Sequence, residues 1–302
     1  MDYSFVDAPL DRADLLRIDS AALDRLWPDA RVLLLDGRGD AAVDAAGAPP
    51  HLTGTAVGHR PERAVFLGVH DGQGWFALPA GEAPSSLPAH GVVDLRSAAA
   101  LWPVREATAF AQARAVLHWR DRHRFCGACA APLTFARAGW LGRCTGCGIE
   151  HYPRTDPAVI VAVTDGERLL LGRQAAWPAH RYSTLAGFVE PGETLEQTVV
   201  REVFEESAVR VRACRYLASQ PWPFPSSLML GFVAEAHPDT PQVNDELEDA
   251  RWFEAEAIGA ALGDDHPGLQ LSPKLSISRW LIGQWYAGVR AANVPSVSVP
   301  VR

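Results

Sequence analysis

The hydrophobic pattern of the first hundred residues predicts β-hairpins. Residues 31–44 (RVLLLDGRGDAAVD) and 64–78 (AVFLGVHDGQGWFAL) each place an apolar run before a Gly/Asp turn and a second apolar run after it, which is typical of antiparallel hairpins. From Val104 to about Trp119, apolar residues recur instead at intervals of three and four, which predicts a helix. We therefore expect a β-rich N-terminal domain over residues 1–121 that ends in a linker helix.

A second domain is predicted after HYPRTDP, residues 151–157, whose two prolines mark a boundary. Ala158–Thr164 is an apolar, β-branched run, DGE follows as a turn, and Leu169–Gly172 continues as a second strand. A helix, two further strand segments and a C-terminal helix around 276–288 come next. These elements predict an α+β domain over residues 153–290, followed by a tail at 291–302.

Composition narrows the class of protein. Of 302 residues, 48% are hydrophobic and 21% are charged, a balance typical of globular chains and not of disordered or collagen-like ones. No apolar run approaches the ~20 residues of a membrane helix, and the acidic start does not resemble a signal peptide. We therefore expect a cytoplasmic protein without a membrane partner.

The net charge of −8 argues against a protein that coats many nucleic-acid phosphates, which requires a basic face. It is compatible with a small anionic substrate that is handled through metal ions.

Four of the five cysteines form one cluster in the sequence. They follow the pattern C-x2-C, fourteen residues, C-x2-C, at Cys126, Cys129, Cys144 and Cys147. Four thiolates at this spacing complete a closed tetrahedral shell, so we predict one structural Zn²⁺ per chain in a ribbon over residues 122–152. Disulfides are less favoured, because reducing compartments keep thiols free. His151 is not expected to be a ligand, since the shell is already full.

The most informative helix follows residue 194. Thr194 can cap its N-terminus, and Gln197, three residues later, completes a capping box. Glu202, Glu205 and Glu206 then share one helical face. Such a face is either a solvated acidic surface or a site for hard divalent cations, and spacing alone leaves both interpretations open.

The surrounding residues resemble the Nudix box, G-x5-E-x7-R-E-U-x-E-E-x-G-U, where U is a bulky aliphatic residue. The matching positions are Gly187, Glu193, Arg201, Glu202, Val203, Glu205, Glu206 and Val209. One position departs, because Ala208 replaces the final glycine. If that site requires a positive φ, alanine costs on the order of 1 kcal/mol. The resemblance implies a Nudix α/β/α sandwich with a mixed sheet, and an α+β protein overall.

The Nudix resemblance also implies a chemistry. Nudix hydrolases cleave nucleoside diphosphates linked to another group, with more than one Mg²⁺ or Mn²⁺ per site. Carried over by position, the implied metal ligands are Glu202, Glu206 and the backbone carbonyl of Ala186. Glu205 is a ligand or orients water, and Glu205 or Glu206 is the implied general base. Arg201 and Glu193 form a supporting pair.

The segment SQPWPFPSS, residues 219–227, narrows the range of possible substrates. Alone it predicts a rigid, extended loop for packing or an interface. After a Nudix box and a four-cysteine ribbon, it resembles the signature of the NAD(H) pyrophosphatases, and the resemblance covers essentially the whole chain, most strongly residues 126–253. It implies hydrolysis of NADH or NAD⁺ to nicotinamide mononucleotide and AMP, removal of NAD caps from RNA 5′ ends, and a homodimer.

The same resemblance implies substrate-binding positions. They are Tyr152, Gln220, Pro221, Trp222, Pro223, Phe224, Pro225, Ser226, Ser227 and Ser278. Phe188 is a further stacking candidate, since base stacking on a preset ring contributes ~1–3 kcal/mol. Alternatives stay open, because Phe188 can instead pack in the core and Tyr152 can instead pack against the ribbon.

A further acidic run, NDELEDARWF at residues 244–253, predicts a solvated turn when taken alone. By the family resemblance, Glu246 is an additional catalytic metal ligand, and Glu248 is its rival.

Two other functions remain as alternatives to NAD(H) hydrolysis. One is a broader Nudix diphosphatase that acts on ADP-ribose or other dinucleotides. The other is a non-catalytic RNA-binding module in which the ribbon works and the box is vestigial. The intact glutamates at 202, 205 and 206 count against the second.

Overall fold

A computed structural model describes residues 3–84 and 90–292. Contacts divide the chain into two units. Unit 1 contains residues 3–155 together with 221–227, and unit 2 contains residues 156–220 and the chain from 228 onward. Residues 293–302, most of the predicted tail, lie outside the described residues. Within the described ranges, no helix has the length and apolar character needed to cross a bilayer.

Unit 1 begins with a five-stranded sheet in the order β3-β4-β1-β2-β5. Its strands are β1 (Arg31–Leu35), β2 (Ala41–Val43), β3 (Val65–His70), β4 (Gln73–Pro79) and β5 (Gly91–Val93). Both predicted hairpins are confirmed, because β1–β2 and β3–β4 pair antiparallel. The central strands β1 and β4 pair parallel, a register between distant segments that the hairpin pattern does not encode.

Helices accompany this sheet. They are α1 (Ser20–Leu26), α2 (Gly54–Val57), α3 (Leu95–Leu101) and α4 (Val104–Arg122), with short 3₁₀ turns at Asp14–Ile18, Ala80–Glu82 and Arg137–Gly139. The predicted linker helix is confirmed as α4. Phe110 of α4 is fully buried in one core cluster with Leu33 and Leu67, so the helix covers the sheet and does more than link domains.

The ribbon in unit 1 is a three-stranded antiparallel sheet. Its strands are β6 (Leu133–Ala136), β7 (Leu141–Cys144) and β8 (Glu150–His151). The apolar cluster at its centre consists of Leu133, Cys126 and Cys144, with Ala131 packed against them. So small a core does not offset the loss of chain entropy without a metal.

Unit 2 is built on a six-stranded sheet, ordered β13-β14-β9-β10-β15 with β12 also paired to β9. Its strands are β9 (Asp156–Thr164), β10 (Arg168–Arg173), β12 (Leu185–Phe188), β13 (Val211–Trp222), β14 (Ser227–Ala236) and β15 (Asp249–Glu254), and the pair β11 (Arg181–Tyr182) and β16 (Gln270–Leu271) lies apart. The helices are α5 (Leu195–Ser207), α6 (Ala255–Leu262) and α7 (Ile277–Ala292).

The alternation of side chains along β9 places helices on both faces of this sheet. Val161 belongs to the cluster that contains Val199 and Val203 of α5. Thr164, of opposite parity, accepts a hydrogen bond from the indole of Trp285 in α7 at 2.9 Å. Because successive residues of a strand point to opposite faces, the sheet lies between α5 and α7. This is the predicted α/β/α sandwich.

Candidate active site

The site is built where β12 meets α5. The capping box predicted at the start of α5 is present, with both Thr194 and Gln197 making their reciprocal hydrogen bonds. Val199 and Val203 of α5 are fully buried in the core, whereas Val200 and Phe204 are exposed. At the end of β12, a side chain in place of Gly187 would overlap the carboxylate of Glu202. Glycine is therefore required here so that the strand and this carboxylate can approach.

Arg201 ties the loop before α5 to the helix. Its Nε donates to Oε1 of Glu193 at 2.6 Å and its Nη2 to Oε2 at 2.9 Å, a bidentate pair. Nη2 also donates to the carbonyl of Phe188 at 2.9 Å. Hydrogen bonding to Arg201 lowers the pKa of Glu193 to about 2. The supporting pair expected from the sequence is thus formed, and it fixes the path between β12 and α5.

Glu206 is a buried carboxylate without a compensating cation among the described residues. Its side chain is 6% exposed, and its Oε2 has no hydrogen-bond partner there. Burial, followed by the charges of Glu202 and Glu246, raises the pKa of Glu206 to about 8, against a hydrogen bond from the backbone amide of Ala186. An isolated buried charge of this kind is costly unless a proton or a cation joins it.

Glu202 and Glu205 differ in exposure. The Glu202 side chain is 12% exposed, and burial raises its pKa although Arg201 lies 2.9 Å away. The Glu205 side chain is 53% exposed and accepts a hydrogen bond from Arg201 at 2.9 Å. Glu202 and Glu206 therefore form the buried part of the acidic face, and Glu205 lies at its rim.

The structure separates the two rivals in the run at 244–253. Glu246 is exposed and near enough to Glu202 and Glu206 to raise the pKa of both. Glu248 instead forms an ion pair with Arg173, and its amide donates to the carbonyl of that residue at 2.9 Å. The geometry favours Glu246 as the third carboxylate, since Glu248 is already neutralised.

This donor set fits a hard divalent cation. Carboxylate and carbonyl oxygens are the ligands that Mg²⁺ and Mn²⁺ prefer, and the unpartnered Oε2 of Glu206 is an oxygen whose charge such an ion would satisfy. Within the described ranges, the cysteines form the only group of three or more potential ligand side chains whose atoms all lie within 4.8 Å. The carboxylates are spread more widely, as mutual repulsion requires.

The second metal centre is the cysteine cluster itself. The sulfurs of Cys126 and Cys147 lie 3.7 Å apart and those of Cys129 and Cys144 lie 3.3 Å apart. Zn–S bonds of about 2.3 Å place tetrahedral sulfurs about 3.8 Å apart. The amides of Ala128 and Cys129 lower the pKa of Cys126 to about 6, which favours the thiolate. The cluster matches a structural zinc site, and His151 is outside it.

The aromatic loop expected to bind substrate belongs to unit 1. The rings of Trp222 and Phe224 lie 4.9 Å apart. Phe224 packs against the core of the N-terminal sheet, and the guanidinium of Arg96 stacks on it at 3.9 Å. Arg114 also lies over this ring, at 5.1 Å, and donates to the carbonyl of Pro223. The loop is therefore held in a fixed shape by two arginines.

Two of the expected polar substrate positions are buried. Gln220 is fully buried, donates to the carbonyl of Leu275 at 2.8 Å and accepts from the amide of Ile277 at 2.9 Å. The Ser278 hydroxyl is 1% exposed and contacts the hydroxyls of Ser183 and Thr184 at 2.9 Å. Their side chains anchor the start of α7.

The remaining expected positions range from exposed to buried. Tyr152 and Phe188 are each 58% exposed, so Phe188 does not pack in the core. The Tyr152 hydroxyl donates to Glu150 of the ribbon at 2.6 Å, which leaves the ring face free. Pro221 and Pro225 are exposed, Pro223 is buried, and Ser226 and Ser227 are intermediate.

Comparisons with known proteins match all three parts of the chain. A NUDIX domain model covers residues 154–274, an NADH pyrophosphatase zinc ribbon model covers 121–152, and an NADH pyrophosphatase-like rudimentary NUDIX model covers 26–119. The chain is 41% identical to the NAD-capped RNA hydrolase NudC of Mycobacterium bovis, over 95% of this chain and 97% of that protein. The chain belongs to the NudC family of Nudix hydrolases.

Two further similarities were found. The NAD-capped RNA hydrolase NudC of Chromobacterium violaceum is 43% identical over 72% of this chain and 78% of that protein. Among solved structures, a Nudix hydrolase from Nitrosomonas europaea aligns with 57% of this chain and 94% of its own, at 22% identity and a TM-score of 0.45.

The structure shows contacts of this NudC-family chain that the sequence pattern did not indicate. Arg96 and Arg114 contact the aromatic loop from more than a hundred residues away in sequence, and no motif links them to it. The amide of Ala186 bonds to Glu206, a contact that only the pairing of β12 with the end of α5 reveals.

Proposed function

We propose that this enzyme hydrolyses the pyrophosphate bond of NADH and NAD⁺, to give nicotinamide mononucleotide (reduced or oxidised) and AMP, and removes NAD caps from RNA 5′ ends. The observation that carries the proposal is the buried Oε2 of Glu206, which has no hydrogen-bond partner among the described residues and lies near Glu202 and Glu246. It lies in a complete Nudix helix apart from Ala208, in a chain similar along its length to proteins named NAD-capped RNA hydrolases.

In this proposal, Glu202, Glu206, Glu246 and the Ala186 carbonyl hold more than one Mg²⁺ or Mn²⁺. Bound divalent cations neutralise pyrophosphate charge and lower the pKa of a coordinated water. Arg201 and Glu193 keep the helix in register with its loop. Glu205, at the rim, orients the attacking water, and Glu205 or Glu206 accepts its proton.

The aromatic side chains supply base recognition. Trp222 and Phe224 are preset as a pair by Arg96 and Arg114, so little conformational entropy is lost when a flat base stacks on them. Tyr152 and Phe188 present further exposed rings. The shape of this loop is set by its other residues, Pro221, Pro223, Pro225, Ser226 and Ser227. Gln220 and Ser278 are buried and position the end of β13 and the start of α7.

The proposal includes a homodimer in the cytoplasm. The exposed rings of Tyr152 and Phe188 support a partner subunit that completes the substrate site, and light scattering after size-exclusion chromatography measures the mass. The free thiols of the ribbon support a reducing compartment, which cell fractionation tests.

The discriminating experiment compares kcat/KM for NADH, NAD⁺, NAD-capped RNA and ADP-ribose in the presence of Mg²⁺ or Mn²⁺. We expect NADH, NAD⁺ or the capped RNA to be preferred over ADP-ribose, with AMP or 5′-monophosphorylated RNA as a product. A preference for ADP-ribose would instead indicate a broader diphosphatase. Binding of RNA without any hydrolysis would indicate a non-catalytic ribbon module.

A further inference from the structure

A short series of hydrogen bonds on the surface of the zinc ribbon ends at Tyr152. The Tyr152 hydroxyl donates to Oε2 of Glu150 at 2.6 Å. The other carboxylate oxygen of Glu150, Oε1, accepts from Nη2 of Arg143 at 2.7 Å. Glu150 therefore joins a cation of the ribbon to the phenol of an expected substrate residue.

The backbone of the ribbon brings these three side chains together. Arg143 of β7 and Glu150 of β8 lie directly opposite each other in the antiparallel pairing, where oppositely charged side chains interact across the strands. Residue 152 precedes Pro153, which restricts it to extended conformations. Since residues i and i+2 of an extended chain point to the same side, the phenol of Tyr152 lies beside Glu150.

The ring of Tyr152 is thus restrained while it stays accessible. Pro153 restricts its backbone, Glu150 holds its hydroxyl, and the residue is 58% exposed. Tyr152, Glu150 and Arg143 all line a cavity of about 500 Å³ within unit 1, so there is room for a flat ligand beside the ring.

The charge states favour this restraint at neutral pH. The hydrogen bond from Tyr152, followed by that from Arg143, lowers the pKa of Glu150, so its carboxylate is ionised. The same hydrogen bond raises the pKa of Tyr152, so the phenol keeps its proton. A hydroxyl that donates to an ionised carboxylate forms a short and comparatively strong hydrogen bond, in agreement with the 2.6 Å between the two oxygens.

A second exposed tyrosine shows a different arrangement. The ring of Tyr216, which is 49% exposed, packs edge-on against Phe232 at 5.7 Å. Tyr216 is therefore held through its ring, whereas Tyr152 is held through its hydroxyl. An exposed ion pair such as Arg143–Glu150 contributes little to stability by itself, so its clearest effect is on the orientation of the Tyr152 ring.

We propose that Glu150 and Arg143 are positioning residues, which hold the Tyr152 ring in the orientation in which a base of the dinucleotide stacks on it. A side chain that is ordered before binding loses less conformational entropy when the ligand arrives. The inference rests on the proposed function, in which Tyr152 contacts the substrate, and it gives the ribbon a role in binding besides holding zinc. Because the pair acts on a base and not on the reacting phosphate, its loss should raise KM and leave kcat unchanged.

The test measures kcat and KM for NADH with Mg²⁺ in wild type, Glu150→Ala, Tyr152→Phe and the double variant. Each single substitution should raise KM by about three- to fivefold, the range expected when one more side chain must be ordered on binding. The double variant should match the single variants, because both substitutions remove the same hydrogen bond. A merely structural role of Glu150 would instead add to the effect of Tyr152→Phe.

One conservative variant and two matched controls sharpen this test. Glu150→Gln keeps an oxygen that accepts from the phenol and should return KM to within about twofold of wild type. Glu167→Ala and Tyr216→Phe make the same chemical changes at exposed positions outside the ribbon and should leave both constants unchanged. Zinc content and melting temperature of Glu150→Ala should match wild type, because this side chain is exposed.

Four results would overturn the positioning role. They are an unchanged KM in Glu150→Ala, a fall in kcat in place of the rise in KM, additive losses in the double variant, and equal losses in the two controls. Hydrolysis of NADH by the wild type together with any of these rejects the positioning role alone. Absence of NADH hydrolysis in the wild type rejects the proposed function and this inference with it.

Discussion

The cysteine cluster and the acidic face of α5 both gather potential cation ligands, yet they are built in opposite ways. The four sulfurs converge within 4.8 Å, and amides from neighbouring residues bond to Cys126 and Cys144. The carboxylates of Glu202, Glu206 and Glu246 stay farther apart, and Glu206 keeps a buried oxygen without a partner.

This contrast separates a closed structural site from an open one that suits catalysis. Four thiolates fill the shell of a zinc ion and leave no position for substrate. Carboxylates on one side of an ion leave its other positions for water and phosphate oxygens. Under the proposed function, the acidic face holds an unfavourable charge that a divalent ion would relieve, whereas the ribbon is expected to depend on its zinc to fold.

The largest expected effect follows from removing a zinc ligand. Structural zinc contributes about 10–16 kcal/mol of apparent binding free energy in small ribbons and fingers, so Cys144→Ser should abolish zinc binding and unfold the ribbon. Zinc content by mass spectrometry and proteolysis of residues 122–152 measure this. Cys214→Ser is the control, since Cys214 lies outside the cluster and its loss should leave one zinc per chain. Retained zinc in Cys144→Ser would show that the cluster is not the site.

The buried Glu206 of the acidic face should make the free energy of unfolding depend on pH. Glu206 has its pKa raised from 4.5 to about 8 by burial, so the folded state holds this proton more tightly than the unfolded chain. The free energy of unfolding is therefore highest, as far as Glu206 is concerned, below pH about 4.5. It falls as the pH rises toward 8, by roughly 3 kcal/mol at pH 7.

Urea unfolding without added Mg²⁺ or Mn²⁺, at pH 5 and pH 7.5, measures this effect. Glu206→Gln should flatten the pH dependence and be more stable than wild type at pH 7.5. Added Mg²⁺ should stabilise the wild type more than the variant. An identical pH dependence in both proteins would contradict an uncompensated Glu206 charge.

A smaller effect, a loss of kcat/KM, is expected when the bidentate pair between Arg201 and Glu193 is weakened. Lysine cannot reproduce the two parallel hydrogen bonds of Arg201 to Glu193, so Arg201→Lys should lower kcat/KM for NADH by about 10–100-fold, the range typical of groups that orient metal ligands. Arg210 forms a similar bidentate pair with Asp239, away from the box, and Arg210→Lys should leave kcat/KM unchanged. Equal effects of the two substitutions would remove the positioning role of Arg201.

The smallest predicted effect concerns the end of the helix. Ala208 adopts φ 57° and ψ 13°, the left-handed conformation in which glycine is favoured. Ala208→Gly should therefore raise the free energy of unfolding by about 1 kcal/mol without changing kcat/KM. Ala213, exposed and outside the positive-φ residues, is the control, because glycine there should destabilise. A loss of stability in Ala208→Gly would contradict the account.

The sequence predicted those features whose determinants are close together in the chain. The Thr194–Gln197 capping box, the hairpins and the cysteine spacing all act within about twenty residues, and each is present in the structure. The condition under which alanine at position 208 is unfavourable, a positive φ, is also present in the structure.

Local sequence patterns did not predict the contacts between residues that are far apart in the chain. Nothing in the spacing of SQPWPFPSS indicates that Arg96 and Arg114 contact Phe224, because these two partners come from helices α3 and α4, more than a hundred residues earlier in the chain. The burial of Gln220 and Ser278 likewise depends on where α7 begins to pack. The match of residues 26–119 to a rudimentary NUDIX model was likewise not predicted from the sequence pattern. The domain boundaries at 121, 152 and 290 remain predictions.

The central claim is that the acidic face of α5 hydrolyses the pyrophosphate of NAD. The most direct measurement is product analysis by liquid chromatography and mass spectrometry, with NADH and NAD-capped RNA and with Mg²⁺ or Mn²⁺, for the wild type and Glu206→Gln. The account predicts that the wild type forms reduced nicotinamide mononucleotide and AMP from NADH, and 5′-monophosphorylated RNA from the capped RNA, and that Glu206→Gln loses more than about 100-fold in both rates. Equal rates for the two proteins, or an untouched NADH pool beside cleavage of another dinucleotide, would contradict it.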